Sequence, residues 1–151
     1  MRRMASVLMI FLVPALESTA LAYQCKSPAP THEAYLSSAA VFSGKVIKIE
    51  EIQRASFRYK VTFEIKRLWK GNASQTTVWM DHLGGTGYGF CDLEIKEGEH
   101  YLVYAASDQQ GHLTVKLTSR GIGFCNRVLL LSSAGEDLSA LEKLTRNPLK
   151  R

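Results

Sequence analysis

Between Phe57 and Ile65 every odd position is apolar, and from Arg58 to Lys66 every even position is polar. This is the two-residue period of a strand with one wet face; a helix would scatter the same residues around its circumference. The alternation loses phase at Leu68, and Lys70, Gly71 and Asn72 supply turn residues, so the strand is expected to end near Trp69. A strand this long, dry on one side, needs a curved sheet wrapped over that side. The neighbouring apolar segments supply it. Residues 41–50 read as a strand whose apolar parity changes sides between Val46 and Ile47, and with Gly44 close by the slip predicts a bulge or a barrel corner.

Residues 76–80 are β-branched and aromatic, which predicts another strand. A turn at 96–99 precedes residues 101–105, a strand apolar on both sides, as when both faces are covered. Residues 113–118 alternate cleanly and give a fifth strand, whereas residues 82–90, with four glycines, read as a loop. Helical signals flank these strands. Thr31 in the N-cap position predicts a short helix over 32–37, with Ala34, Tyr35 and Leu36 available for packing. Ser133 and Glu136 have capping-box spacing, and Leu138, Leu141 and Leu144 follow at helical intervals, which predicts a helix over 134–144 laid against the sheet. Asn147 and Pro148 stop it, leaving residues 147–151 as a frayed basic tail. The pattern is that of a mainly β fold: a five-stranded Greek-key barrel of the oligonucleotide/oligosaccharide-binding (OB) type, with one or two short flanking helices. A β-sandwich is the rival, but it calls for about seven short strands.

The start of the chain belongs to another category. Arg2 and Arg3 form a short basic lead, residues 5–16 are apolar but too few to span a membrane comfortably, and Ala20-Leu21-Ala22 has the small residues of a cleavage site. Residues 1–22 therefore read as a signal peptide cut before Tyr23, and residues 23–146 as a single domain of secreted, periplasmic or extracellular location. Gln24 separates Cys25 from any small residue, which argues against a lipoprotein signal. Removing Arg2, Arg3 and Glu17 takes the formal charge from +5 to +4. That mild excess suits attraction to acidic surfaces and is no sign of nucleic acid.

Candidate chemistry is sparse. His32, His82, His100 and His112 lie far apart without metal-ligand spacing and read as ordinary surface histidines. Asp81-His82 suggests a base and its orienter, yet no nucleophile can be assigned to it, and Glu50, Glu51, Glu94, Glu97 and Glu99 read as a solvated rim. Tyr59, Trp69 and Trp79, with Arg58, Lys60, Lys66, Arg67 and Lys70, contain the ingredients of a single-strand platform, but Phe57 and Tyr59 share a face with core residues. Asn72-Ala73-Ser74 is an N-glycosylation sequon. Three cysteines, Cys25, Cys91 and Cys125, leave one thiol free or paired with another chain in an exported protein.

Taken in order, Cys25-x-x-Pro28, Glu33-Ala34-Tyr35, Val41-Phe42-x-Gly44-x-Val46, Val61-Thr62-Phe63-x-Ile65, Trp69-Lys70-Gly71, Cys91, Gly98-Glu99-x-Tyr101-Leu102-Val103-Tyr104-Ala105, Cys125-x-Arg127 and Glu136-Asp137-Leu138 form one series. That series resembles the tissue inhibitors of metalloproteinases, in their N-terminal domain and in related bacterial secreted proteins, over nearly all of residues 23–146. The resemblance implies an OB-type barrel that is not an enzyme but a metalloendopeptidase inhibitor, a monomer with no cofactor, no metal of its own, no nucleic-acid partner and no stable membrane insertion. Its partner would be a zinc metalloproteinase, whose zinc is chelated by the free amine and carbonyl of the first mature residue, here Tyr23. Those atoms take the coordination position that catalytic zinc keeps for water. Gln24, Cys25, Asp81 and His82 would form the inhibitory ridge. The resemblance also implies a Cys25–Cys125 disulfide, with Cys91 as the unpaired thiol. The family's mature chain begins Cys-x-Cys, whereas this one has Tyr23 in the first position, so the first residue would be anchored from Cys25 alone. The alternative is an extracellular or envelope protein-binding barrel that has lost the zinc-chelating cysteine.

Overall fold

The computed structural model describes residues 29–53, 58–81, 94–115 and 127–146. Its frame is a pair of long antiparallel strands, β1 (Ala40–Gln53) and β2 (Arg58–Lys70). In β2, Val61 and Phe63 are buried, Tyr59 and Ile65 pack partly buried against them, and Arg58, Glu64 and Lys66 face solvent, as the alternation requires. Phe57 lies outside the described residues. The parity slip in β1 is a bulge: Val46 pairs with Phe63 and Lys48 with Thr62, leaving Ile47 without a partner in the ladder. Ile47 is 54% exposed, while Val46 and Ile49 both turn to the core, so one extra residue absorbs the change of phase. Three further shifts of register, between Val41 and Phe42, Ser43 and Gly44, and Glu51 and Gln53, coil the pair. Gly44 is needed there, since a Cβ would stand 2.9 Å from the Glu64 carbonyl oxygen and 3.3 Å from Phe63 Cβ.

Coiling lets both ends of the pair be used. β2 pairs with β3 (Thr77–Met80), matching Tyr59 with Met80. β3 runs parallel to β5 (Leu113–Val115), β5 is antiparallel to the end of β4 (His100–Ser107), and β4 returns to β1 from Ala40↔Ala105 to Lys45↔His100. The circuit β1-β2-β3-β5-β4-β1 is a closed five-stranded barrel of the OB type. Only Leu113–Val115 of the expected fifth strand falls among the described residues. The barrel interior holds Phe42 and Phe63, ring centroids 5.3 Å apart and edge to face, with Val61, Val78, Met80, Tyr101 and Val103 around them.

A sixth strand, β6 (Val128–Leu130), pairs with the edge of β4 opposite β1, from Tyr101↔Leu130 to Val103↔Val128. The sequence pattern does not predict it: three residues are too few to display a period, and Val128-Leu129-Leu130-Leu131 is an unbroken apolar run. β4 is indeed buried on both faces. Tyr101, Val103 and Ala105 enter the barrel, while Leu102 and Tyr104 lie outside it in a second cluster with Ala34, Val41, Ala134 and Leu141.

Two helices, α1 (Thr31–Ser37) and α2 (Gly135–Arg146), bring Ala34 and Leu141 to that second cluster. Both expected N-caps are corrected. Pro30 occupies the cap position of α1 and makes no side-chain cap bond, so Thr31 is the first helical residue and its hydroxyl is used elsewhere. Ser133 closes a 3-10 turn (Leu131–Ser133), and the Ala134 carbonyl accepts the Leu138 N–H that opens α2. At its other end α1 is held by Lys70, whose Nζ donates to the carbonyls of Tyr35 (2.9 Å) and Leu36 (3.0 Å), as suits a cation at a helix C-terminus. Among the described residues no helix is long and apolar enough to cross a membrane.

Candidate functional site

The described residues present two built features, one where the N-terminal segment meets the barrel and one at the end of β3. The first is centred on Asp137 in the opening turn of α2, where a carboxylate is favoured by the helix dipole. Arg127, just ahead of β6, forks onto it: Nε donates to Oδ1 and Nη2 to Oδ2, both at 2.7 Å. The Tyr104 hydroxyl (2.8 Å) and the Thr31 hydroxyl (3.1 Å) also donate to Oδ1. The remaining guanidinium nitrogen, Nη1, donates to the carbonyl of Ala29 at 2.8 Å. The two charged side chains are 17% and 5% exposed, so the pair is desolvated and its five bonds join the N-terminal segment, α1, β4 and α2.

The electrostatics follow from that packing. Burial would raise Asp137, but the Arg127 fork and the Tyr104 and Thr31 hydroxyls outweigh it and hold the carboxyl below its ordinary range. The same carboxylate raises Arg127, and burial together with the bond to Asp137 pushes the Tyr104 phenol up. In sequence, Cys125-x-Arg127 and Glu136-Asp137-Leu138 stand out as motifs, but neither charge has an evident role there. Nothing in the spacing says that Ala29, Thr31, Tyr104, Arg127 and Asp137 converge, because they come from separate elements.

The second feature is a surface cleft of about 620 Å³ between the end of β3 and the turn from β4 to β5, lined among others by Arg58, Trp79, Asp81, Asp108, Gln109 and His112. A smaller hollow of about 300 Å³, beside Lys60 and Gln75, adjoins it and shares Trp79 and His112. Trp79 lies between Val78 and Met80, both buried, so its own side chain points away from the barrel interior. Its ring is 5.1 Å from that of His112, tilted by 34°. His112 is fixed by Asp108, whose Oδ2 is 3.0 Å from Nδ1 and whose Oδ1 accepts the backbone N–H groups of His112 (2.8 Å) and Gln110 (2.9 Å). Burial would raise Asp108; those donors hold it low. His112 is on the surface, as expected, and is held in one orientation there by Asp108. The available signal was the Asp108-to-Gly111 turn, where Gly111 takes φ 84°.

Of the residues expected at an inhibitory site, only Asp81 falls among the described ones, at the end of β3 on the rim of the cleft. Tyr23, Gln24, Cys25, His82, Cys91 and Cys125 lie outside them. His32 and His100 are exposed and line neither hollow, and among the described residues no three His, Cys, Asp or Glu side chains come together as a metal site. Four of the five glutamates of the rim meet separate partners: Glu50 meets Lys48, Glu94 meets Lys96, Glu97 accepts the Ile49 N–H and Glu99 accepts the Tyr101 hydroxyl. The aromatic and basic residues do not assemble into one platform. Tyr59 packs on the barrel core, and Trp69 belongs to the cluster under the helices with its indole nitrogen buried. Arg67, 5.0 Å over the Trp69 ring, pairs with Glu142 of α2. Of that set, Lys60 and Trp79 pair across β2 and β3 and share the smaller hollow. No protein-family model matches the chain, and no curated protein matches it.

Proposed function

We propose that this chain is a secreted inhibitor of zinc metalloendopeptidases. Cleavage after Ala22 frees the amine of Tyr23, and that amine with the Tyr23 carbonyl oxygen displaces water from the protease's catalytic zinc. Gln24, Cys25, Asp81 and His82 contribute the surrounding ridge, and a Cys25–Cys125 disulfide steadies it, with Cys91 left as a thiol. A bridge closing a loop of that length contributes about 4–5 kcal/mol in the chain-entropy model.

The observation that carries this reading is the bond from Arg127 to the Ala29 carbonyl, on a barrel of OB type. A chelating terminus binds tightly only if little ordering is left to do on contact, since fixing each residue's backbone costs about 1–2 kcal/mol. The Arg127–Asp137 pair fixes the chain at Ala29 and Thr31, six and eight residues after Tyr23, independently of any disulfide, and so limits the length left to order. The same contact places Ala29, four residues after Cys25 in sequence, beside Arg127, two residues after Cys125. The test is a panel of zinc endopeptidases incubated with chain beginning at Tyr23 and with chain carrying one extra N-terminal residue. Inhibition by the first and at least about tenfold weaker inhibition by the second is expected. Equal inhibition by both, or none by the first, removes the chelation mechanism. A second reading, a non-inhibitory binding barrel, is favoured by the cleft beside Trp79.

A further inference from the structure

We infer that the cleft beside Trp79 is a binding site for an uncharged oligosaccharide, with a sugar ring lying on the indole and its hydroxyls bonded to the polar rim. The inference does not rest on the inhibitor reading. It starts from Trp79 itself, which the core does not use: Val78 and Met80 fill the barrel on either side of it, and the indole stands between Lys60 of β2 and Thr114 of β5 on the outer surface. The ring is held rather than loose. Asp108 fixes His112 through both carboxylate oxygens, and His112 braces the indole at 5.1 Å. A preorganised aromatic face at the junction of two hollows, of about 620 and 300 Å³, is a shape that accepts more than one ring of a chain.

The chemistry around that face selects among polymers. Among the described residues of the lining, Arg58 and Lys60 are balanced by Asp81 and Asp108, so these side chains do not make the single-sign positive field that tracks a phosphate backbone. An extended peptide adding as a strand needs an open sheet edge, and β3 and β5 are each paired on both sides here. An amphipathic helix needs a row of exposed apolar side chains, whereas among the described lining residues Met80, Val115 and Leu113 are buried beneath the cleft and Trp79 and Ala106 alone offer apolar surface. Among the described residues, the polar groups that reach the surface are the amides of Gln109, Gln110 and Gln75 and the Ser107 hydroxyl, which donate and accept, and the Asp108 carboxylate, an acceptor with one position on Oδ2 beyond its bonds to Gln110 and His112. Donors and acceptors together around one aromatic face match a pyranose, which offers an apolar C–H face and a rim of hydroxyls.

The experiment is native affinity electrophoresis of the chain from Tyr23 to Arg151 through gels containing one of four neutral polysaccharides: a mixed-linkage β-glucan, dextran, galactomannan or xylan. Uncharged polymers remove the retardation that a net positive protein would show on any acidic gel. Retardation by at least one polymer is expected, with Trp79→Ala weakening it about tenfold or more. Trp79→Phe should keep part of it, and Ile47→Ser, on the exposed bulge, should match the wild type. Circular dichroism checks the fold of each variant, and should Trp79→Ala not fold, Gln109→Ala/Gln110→Ala takes its place with the same expected loss. Migration unaffected by all four polymers, or full retardation of a folded Trp79→Ala, overturns the inference. So does quenching of tryptophan fluorescence by a thymidine oligonucleotide or a proline-rich peptide at lower concentration than by the sugars. An extra N-terminal residue should leave retardation unchanged, which separates this result from the protease assay.

Discussion

Asp137→Asn is the most demanding single change for the proposed anchoring of the N-terminal segment. The substitution keeps the shape of the side chain and an oxygen for Tyr104 and Thr31, but it removes the charge that faces Arg127 and presents an amide where the guanidinium donates. Arg127 then stays mostly buried, still bonded to the Ala29 carbonyl but with no carboxylate to balance it. Removing one partner of a buried pair costs about 3–5 kcal/mol, because the other charge stays desolvated. Against a total stability of about 5–15 kcal/mol this is a large fraction. With a urea slope of about 1.5 kcal/mol per molar, it lowers the unfolding midpoint by about 2–3 M. The pH dependence has a fixed sign. Asp137 is depressed in the folded chain, so its contribution is present above the ordinary carboxyl value and is lost as pH falls through the folded one. Urea melts of wild type and variant at neutral pH and at successively lower pH are the assay: the gap between them should be widest at neutral pH and close in acid. A gap below about 1 kcal/mol at neutral pH refutes the argument, since the carboxylate would then be solvated or dispensable. The triple change Arg127→Met/Asp137→Leu/Tyr104→Phe, which removes both charges together with the buried hydroxyl that bonds to Asp137, should cost less than Asp137→Asn alone.

Three further outcomes are expected. Burial pushes the Tyr101 phenol up to about 12 and its hydroxyl also bonds to Glu99, so its stabilising contribution is full below about pH 10 and is lost as pH rises toward 12; alkaline melts should show that loss, about 2–3 kcal/mol, in wild type and not in Tyr101→Phe. At neutral pH Tyr101→Phe should cost about 1–3 kcal/mol in a urea titration, because the buried hydroxyl accepts the Lys96 N–H. Gly71→Ala should destabilise by about 1 kcal/mol or more, as Gly71 has φ +103° and a Cβ there would stand 2.8 Å from Ala40 Cβ; a melt equal to wild type would show that the β2–β3 turn can rearrange.

The parts of the fold that were legible are those where one residue class repeats along one element. β2 was readable because its successive inward positions are apolar, and the bulge at Ile47 because a single extra residue inverts the phase of the positions after it. β4 was readable as doubly covered, although not by which elements: the cover comes from α1 and α2, far along the chain in both directions. β6 was not readable, being three residues of an apolar run whose partner strand lies well upstream. The two misplaced caps share a cause. Thr31 and Ser133 satisfy the local rule for a cap, but the rule does not know that a buried carboxylate elsewhere offers Thr31 a better acceptor, or that a 3-10 turn consumes Ser133.

The same distinction explains why the barrel was easier to read than either site. A barrel wall is specified by periodic burial, which a sequence displays directly, whereas a site is specified by convergence of single residues, which it does not. Asp137 gathers Thr31, Tyr104 and Arg127 across separations of 106, 33 and 10 residues. Such a cluster is held in place by the barrel and in turn fastens the outer layer to it, since the lead into β6, α1 and α2 are all tied at one carboxylate that also bonds Tyr104 of β4. The cleft at Trp79 has the opposite relation to the fold: its brace, from Asp108 to His112, is local, and the wall behind it stays complete without the indole. Loss of the Asp137 cluster should therefore register in stability first, and loss of Trp79 in binding with little change in the melt. An unfolding midpoint that fell as far for Trp79→Ala as for Asp137→Asn would show that the indole belongs to the wall and not to a site.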